Sequence, residues 1–172
     1  GLLENIDALQ NNKILTFLHR APKIHLPALD MGSIANSYRE VFHLDMEQSR
    51  NMARMTKGYP YAFQVLGYYT FENGGDYKAA VSECKQYLNE YVYDKIWSGL
   101  SRTDRQVLYH LTQCRTGSIL ELREKMDMKS NEFSPYRSRL IKKGLLNGDE
   151  RGYLRFVLPF FEDYVIDNSW DE

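Results

Sequence analysis

The sequence predicts a mainly α protein: a helical lid bundle followed by a winged helix-turn-helix domain with a small β-hairpin. Three observations carry this. Apolar residues recur every three or four positions through residues 33–98, with Gly and Pro between the runs. Three helix-start signals follow, at Ser101, Ser118 and Ser134. After them comes the turn-rich run Asn147-Gly148-Asp149-Glu150-Arg151-Gly152, and then an alternating strand with Leu154, Phe156 and Leu158 on one face.

In order along the chain, residues 1–30 read as a remnant or linker of a preceding domain. Leu2 to Leu9 has the apolar spacing of one or two helical turns, and Ile14 to Leu18 is a short apolar run. Pro22 and Pro27 bracket an extended segment, because proline and its predecessor disfavour helix. The bundle then occupies residues 31–99. Ser33 is the expected cap of a helix carrying Ile34, Tyr38, Val41 and Phe42. A second helix is predicted from Met46 to Thr56, stopped by Gly58 and Pro60. A third spans Tyr61 to Phe71 and ends at Asn73-Gly74-Gly75. The fourth runs from Asp76 to about Ser98, with Tyr77, Ala80, Cys84, Leu88, Tyr91, Val92 and Ile96 among the members of one stripe.

Residues 100–172 form the expected winged-helix domain. Its first helix opens at Ser101 to Asp104, its second at Ser118 with Glu121 completing a capping box, its third at Ser134-Pro135. Gly144 stops the third helix, and an amphipathic segment from Phe160 to Ile166 follows the hairpin.

With 172 residues and 43% hydrophobic composition, the chain suits one domain or two small ones. No apolar run approaches the ~20 residues needed to span a bilayer, and no signal-peptide pattern is present. Two cysteines, Cys84 and Cys114, make no disulfide framework, which points to a reducing cytoplasm. The first residue is Gly1 rather than Met, so a piece of a longer protein is expected.

The net charge of −1 conceals a partition. Residues 101–158 hold 12 Lys+Arg against 7 Asp+Glu, whereas residues 159–172 hold five acids and no base. On the third helix of the basic part, Arg139, Lys142 and Lys143 fan away from Leu140 and Ile141, and Arg137 falls on the core border. With Arg151 and Arg155 of the hairpin, they are the candidate DNA-binding residues, placed to neutralise phosphates by charge. Asn131 and Ser134 are candidates for base contact, with Ser134 better explained as a cap.

Catalytic patterns are poor. No Gly-Lys dipeptide occurs, so the phosphate-cradling P-loop is absent, and no metal-ligand spacing is seen. Cys84 lies on an apolar stripe, and Cys114 lacks a histidine at nucleophile spacing. Asp45 and Glu47 suit a helix start. Tyr59, Tyr61, Phe63, Tyr68, Tyr69 and Phe71 read as helix packing. The expectation is that this chain alone is not an enzyme and holds no cofactor or metal.

Two internal stretches and the closing one resemble a known superfamily. Leu15 to Phe42, LTFLHRAPKIHLPALDMGSIANSYREVF, resembles the passage from the nucleotide-binding core of an AAA+-type P-loop ATPase into its helical lid. Ala53 to Phe71, ARMTKGYPYAFQVLGYYTF, is similar to the lid helix pair with its glycine–proline turn. Arg139 to Val165, RLIKKGLLNGDERGYLRFVLPFFEDYV, looks like the winged helix that follows. The resemblance implies that Gly58 and Pro60 face bound nucleotide. It also implies that Arg20 lies where an arginine finger would reach a γ-phosphate, unless Arg20 pairs with a core carboxylate. Where initiator-type lids carry an arginine beside the glycine, this chain has Tyr59 and Pro60, which favours the STAND-like branch. On that basis the parent is expected to be an ATPase binding ATP and Mg through a missing N-terminal P-loop domain, its lid coupling nucleotide state to the DNA-binding module. The rivals are a stand-alone winged-helix transcription regulator with a helical ligand or dimerisation half, and a protein-interaction module.

Overall fold

Asp30, not Ser33, caps the first helix in the computed structural model, which describes residues 27–169. Ser33 is the donor: its backbone N–H and its hydroxyl reach the Asp30 carboxylate at 2.7 and 3.0 Å. A carboxylate at this position also meets the positive end of the helix dipole, which a hydroxyl does not exploit. The same bonds, the backbone one foremost, hold the Asp30 carboxyl below its usual range.

Helix α1 spans Met31–Phe42 and packs against α2, Met46–Met55, which begins with a reciprocal capping box between Asp45 and Gln48. Helix α3, Pro60–Glu72, starts with proline in its first turn, where the missing N–H costs nothing. Helix α4, Tyr77–Leu88, is capped by Asp76, which accepts from Lys78 and Ala79. α3 and α4 pack as a second pair. Tyr38 of α1 joins the pairs: its ring lies 5.1 Å from Phe63, and its hydroxyl donates to the Phe63 carbonyl at 2.7 Å.

The fourth predicted helix is not continuous. The buried stripe runs Tyr77, Ala80, Cys84, Leu88 and then jumps to Tyr93, Ile96 and Trp97. A π-helical turn, Asn89–Tyr93, accommodates the five-residue step. Tyr91, expected in the stripe, is instead 53% exposed, while Tyr93 is fully buried. Helix α5, Asp94–Ser98, completes the element, and α6, Arg102–Thr112, follows with Ser101 and Asp104 capping each other's backbone.

Contacts divide the chain into two compact units. One is Ala28–Thr112 with the stretch from Leu158 on, so α6 and the last helix α9, Phe161–Asn168, group with the bundle although the sequence reading assigned them to the second domain. In this unit α9 packs on α6 and on the π turn. Tyr93 donates to the Pro159 carbonyl and meets the rings of Phe161 and Tyr164. Tyr164 in turn donates to Asp94 at 2.7 Å. Two of the C-terminal acids thus belong to α9's first turn, where Asp163 pairs with Lys85 at 2.5 Å.

The other unit contains Gln113–Val157. Helix α7, Ile119–Lys125, is capped by Ser118, but Glu121 does not return the bond: its carboxylate faces Thr116 and Lys125. Helix α8 is longer than expected, Ser130–Lys142. Ser134 is therefore not its cap. Lys129 stands at the N-cap, Glu132 accepts from its backbone N–H at 2.7 Å, and Pro135 lies inside the helix. The capping carboxylate and the buried Phe133 pull the start upstream of the proline. The hairpin pairs β1, Leu146–Asn147, with β2, Arg155–Phe156, antiparallel in the register Leu146 to Phe156. A bridge joins Ser118 to Tyr153 on the other edge of the returning strand. The protein is thus mainly helical with a small two-stranded antiparallel sheet.

Candidate nucleic-acid interface

The basic residues sit on a scaffold fixed by a small apolar core. Leu122, Phe133, Leu140, Leu145, Leu146 and Leu154 are all buried, which fixes α7, α8 and the hairpin. Over 113–157 there are ten Lys+Arg against six Asp+Glu. With the apolar groups spent on the core, most of that charge is carried outward.

Arg139, Lys142 and Lys143 follow one another at steps of three and one residues, at the C-terminal end of α8 where cations complement the helix dipole. Lys142 is exposed; Arg139 and Lys143 are half-buried, and the Arg139 guanidinium lies 5.0 Å from the Tyr136 ring centre. Arg151 is exposed in the hairpin turn. That turn is ordered by its own side chains: Asp149 N–H donates to Asn147 at 2.7 Å, and Gly152 supplies a φ of 89°.

Arg155 has a different place from the other four. Its guanidinium donates to the Thr116 carbonyl, pairs with Glu150 at 3.4 Å, and lies 5.6 Å from the Tyr153 ring centre. It clasps the loop before α7 to the hairpin, so much of its hydrogen-bonding capacity is used within the unit. Gly117, with φ of 71°, allows the Leu154 backbone to close against that same loop.

Arg137 joins the helix to the hairpin tip. It is half-buried; its Nη2 reaches the Gly148 carbonyl at a long 3.5 Å, and its buried Nε has no hydrogen-bond partner. A side chain at Gly148 would stand 2.8 Å from Ile141 and 2.9 Å from Arg137. Helix and hairpin tip therefore approach through a glycine and an arginine, as Arg137's angular position beside Leu140 foretells.

The glycine–proline turn is shaped by the chain itself. Gly58 is buried with φ of 74°, and its carbonyl accepts from Leu29 N–H at 2.8 Å. A Cβ there would lie 2.8 Å from the Leu29 carbonyl oxygen. Pro60 is exposed and starts α3. The close approach at this glycine is thus made by Leu29. Arg20 and the predicted elements Leu2 to Leu9 and Ile14 to Leu18 lie outside the described residues.

Cys84 is buried in the bundle, where desolvation pushes its thiol up to about 12, and Cys114 is also buried and raised, first by desolvation and then by Glu121. Among the described residues no group of three or more His, Cys, Asp or Glu side chains converges as a metal site would need. None of the described helices is long and apolar enough to cross a membrane.

Residues 90–165 match the model of a family described as a domain of unknown function, DUF8462. The match covers 76 of the 172 residues, from within the π turn to α9, and includes every candidate basic residue of α8 and the hairpin. Comparison with curated proteins and with solved structures returns no match.

Proposed function

We propose that the α7–α8–hairpin unit is a winged helix-turn-helix module that binds duplex DNA. The single observation that carries this is the chain order: helix α6, the Ser118 bridge, α7, α8, then a hairpin whose return strand pairs on one edge with Leu146–Asn147 and on the other with Ser118. Arg139, Lys142 and Lys143 at one helix end, with Arg151 on the hairpin turn, supply cations to two elements of such a module. Arg155 serves as the clasp that holds the hairpin rather than as a principal phosphate contact. No base-reading side chain is part of the proposal.

The test is duplex binding by the whole chain at low salt. Charge reversal at Lys142 and Arg151 together should weaken binding by about tenfold or more, since each lost phosphate contact also reverses sign locally. Unchanged affinity in K142E/R151E, with the fold intact by circular dichroism, defeats the proposal. Absence of binding to any duplex at low salt leaves a protein-interaction module as the better account.

The resemblance to STAND-like ATPases supports a second, wider element of the proposal: α1–α4 as a lid following a P-loop domain that binds ATP and Mg, with lid movement repositioning the winged helix in the cytoplasm. Its test is the coding sequence upstream of Gly1, where a GxxxxGK[ST] motif is expected. A start codon there without such a motif favours the stand-alone regulator.

A further inference from the structure

The bundle carries a face of tyrosines that its own core does not use. On α3, Tyr61 and Tyr68 are 38% and 59% exposed. Their rings continue into α4 and the π turn: Tyr68 lies 5.2 Å from Tyr69, Tyr69 6.1 Å from Tyr87, and Tyr87 stacks on Tyr91 at 4.4 Å. Tyr61 joins from the side, 6.2 Å from Tyr87. The sequence reading assigned the α3 aromatics to helix packing. Phe63 does pack, against Tyr38, but Tyr61 and Tyr68 do not follow it inward.

Tyr91 belongs to this face because of the π turn. Regular α-helical spacing from Leu88 carries the stripe to Tyr91 or Val92; the extra residue passes that place to Tyr93. A π turn is rare and occurs frequently at functional sites. Here its product is an exposed ring stacked at the end of an aromatic row.

The charges nearest the row are mainly acidic, with exposed Lys95 standing one turn beyond Tyr91. Helix α3 contains no Lys, Arg or His along its whole length. On α4 and the π turn, Glu83 and Glu90 flank the rings, and Glu83 lies close enough to Tyr69 to raise its phenol pKa alongside desolvation. Among the described residues the partners of these carboxylates are neutral amides, Asn73 at 2.6 Å and Gln86 at 3.0 Å. Lys85, the cation between them in sequence, is held elsewhere by Asp163. Ring faces carry negative quadrupole density, and two carboxylates beside them add full charge.

We propose that this face docks an extended, arginine- or lysine-rich segment of a partner protein. Guanidinium or ammonium groups would lie over the tyrosine faces, with Glu83 and Glu90 pairing at the rim. The ring path from Tyr68 to Tyr91 covers no more than ~16 Å, which matches about five extended residues, so two or three alternate side chains meet it. A nucleic-acid strand also stacks on aromatic rows, but its phosphates would run beside Glu83 and Glu90 and be repelled.

The experiment titrates the full chain at low salt with the peptide Arg-Ser-Arg-Ser-Arg-Ser, its Asp-Ser counterpart and oligothymidylate, read by amide NMR shifts and calorimetry. The arginine peptide alone should bind, shifting amides of α3, α4 and the π turn. Tyr68→Ser with Tyr91→Ser should weaken it about tenfold, the loss of two cation–π contacts. Glu83→Gln with Glu90→Gln should weaken it and flatten its salt dependence, while Glu124→Gln, on α7 of the other unit, should leave it unchanged. If the double tyrosine variant loses its fold by circular dichroism, Tyr68→Ser alone serves, with about a threefold loss expected. No binding of the arginine peptide, binding indifferent to the tyrosines, or preference for oligothymidylate overturns the proposal.

Discussion

Gly58 shows how much one residue can decide. Its φ of 74° is strained for any side chain, and the Leu29 carbonyl lies 2.8 Å from where a Cβ would sit. Gly58→Ala should therefore cost about 1–3 kcal/mol, seen as a lower melting temperature, because backbone strain and backbone contact act together. A neutral G58A would mean that the Ala28–Leu29 segment is not held there. Cys84 offers a second test at this scale. Burial raises its thiol from 9.0 to about 12, so the folded chain holds the proton more tightly than the unfolded one. Its contribution to stability is complete below about pH 9 and is lost as pH rises toward 12. Cys84→Ser or Cys84→Ala should flatten that part of the stability–pH curve, and native Cys84 should resist a thiol reagent at pH 8 until the protein unfolds. That Cys84 is core was readable from its spacing. That Leu29 fills the glycine's space was not, because the two are far apart in sequence.

At the scale of elements, agreement was best where a cap and an apolar stripe coincide. Asp45, Asp76, Ser101 and Ser118 all stand at helix starts that spacing and composition point to. The misreadings come from competition between signals. Ser134-Pro135 has the form of a helix start, yet the Glu132 carboxylate, bonded to Lys129 N–H, and the buried Phe133 begin α8 five residues earlier. Pro135 then removes a hydrogen bond that the Asn131 carbonyl would accept and crowds that carbonyl. Replacing this exposed proline with Ala should raise stability by up to about 3 kcal/mol; a destabilised P135A would show that α8 truly starts at Ser134. The hairpin was legible because its turn is written in local chemistry, Asn147 to Asp149 and Gly152. The role of Arg155 was not, since the carbonyl it binds belongs to Thr116 in a loop 39 residues away.

Across the whole molecule, a net charge near zero is the outcome of separation rather than of scarcity. Cations gather at the end of α8 and on the hairpin, while the tyrosine row of the bundle is bordered by acids. On the proposed reading, such a molecule is only weakly drawn to DNA from a distance, so duplex binding would come from contacts at short range. With Arg139, Lys142, Lys143 and Arg151 as phosphate partners, the logarithm of affinity should fall against the logarithm of salt with a slope of about −3 to −4. A slope near zero would be incompatible with backbone contact by these residues. The mainly helical class with its small antiparallel hairpin, the helix order and this charge partition were legible in the sequence. The division into units was not, because α6 and α9 meet across the intervening 113–157 segment.

The π turn has a consequence for how this protein tolerates change in length. Between Leu88 and Tyr93 the chain carries one residue more than α-helical phase requires. Removing one residue from Asn89–Tyr93 would shorten the element by only ~1.5 Å, which a terminus or loop would absorb. The same deletion would leave Tyr93 four residues after Leu88, in ordinary α-helical phase, so the π turn would become a regular turn and Tyr93 would keep its place against Pro159 and Phe161. One residue more would instead turn everything beyond it by roughly 100° about the helix axis, so the molecule bears a lost codon here better than a gained one.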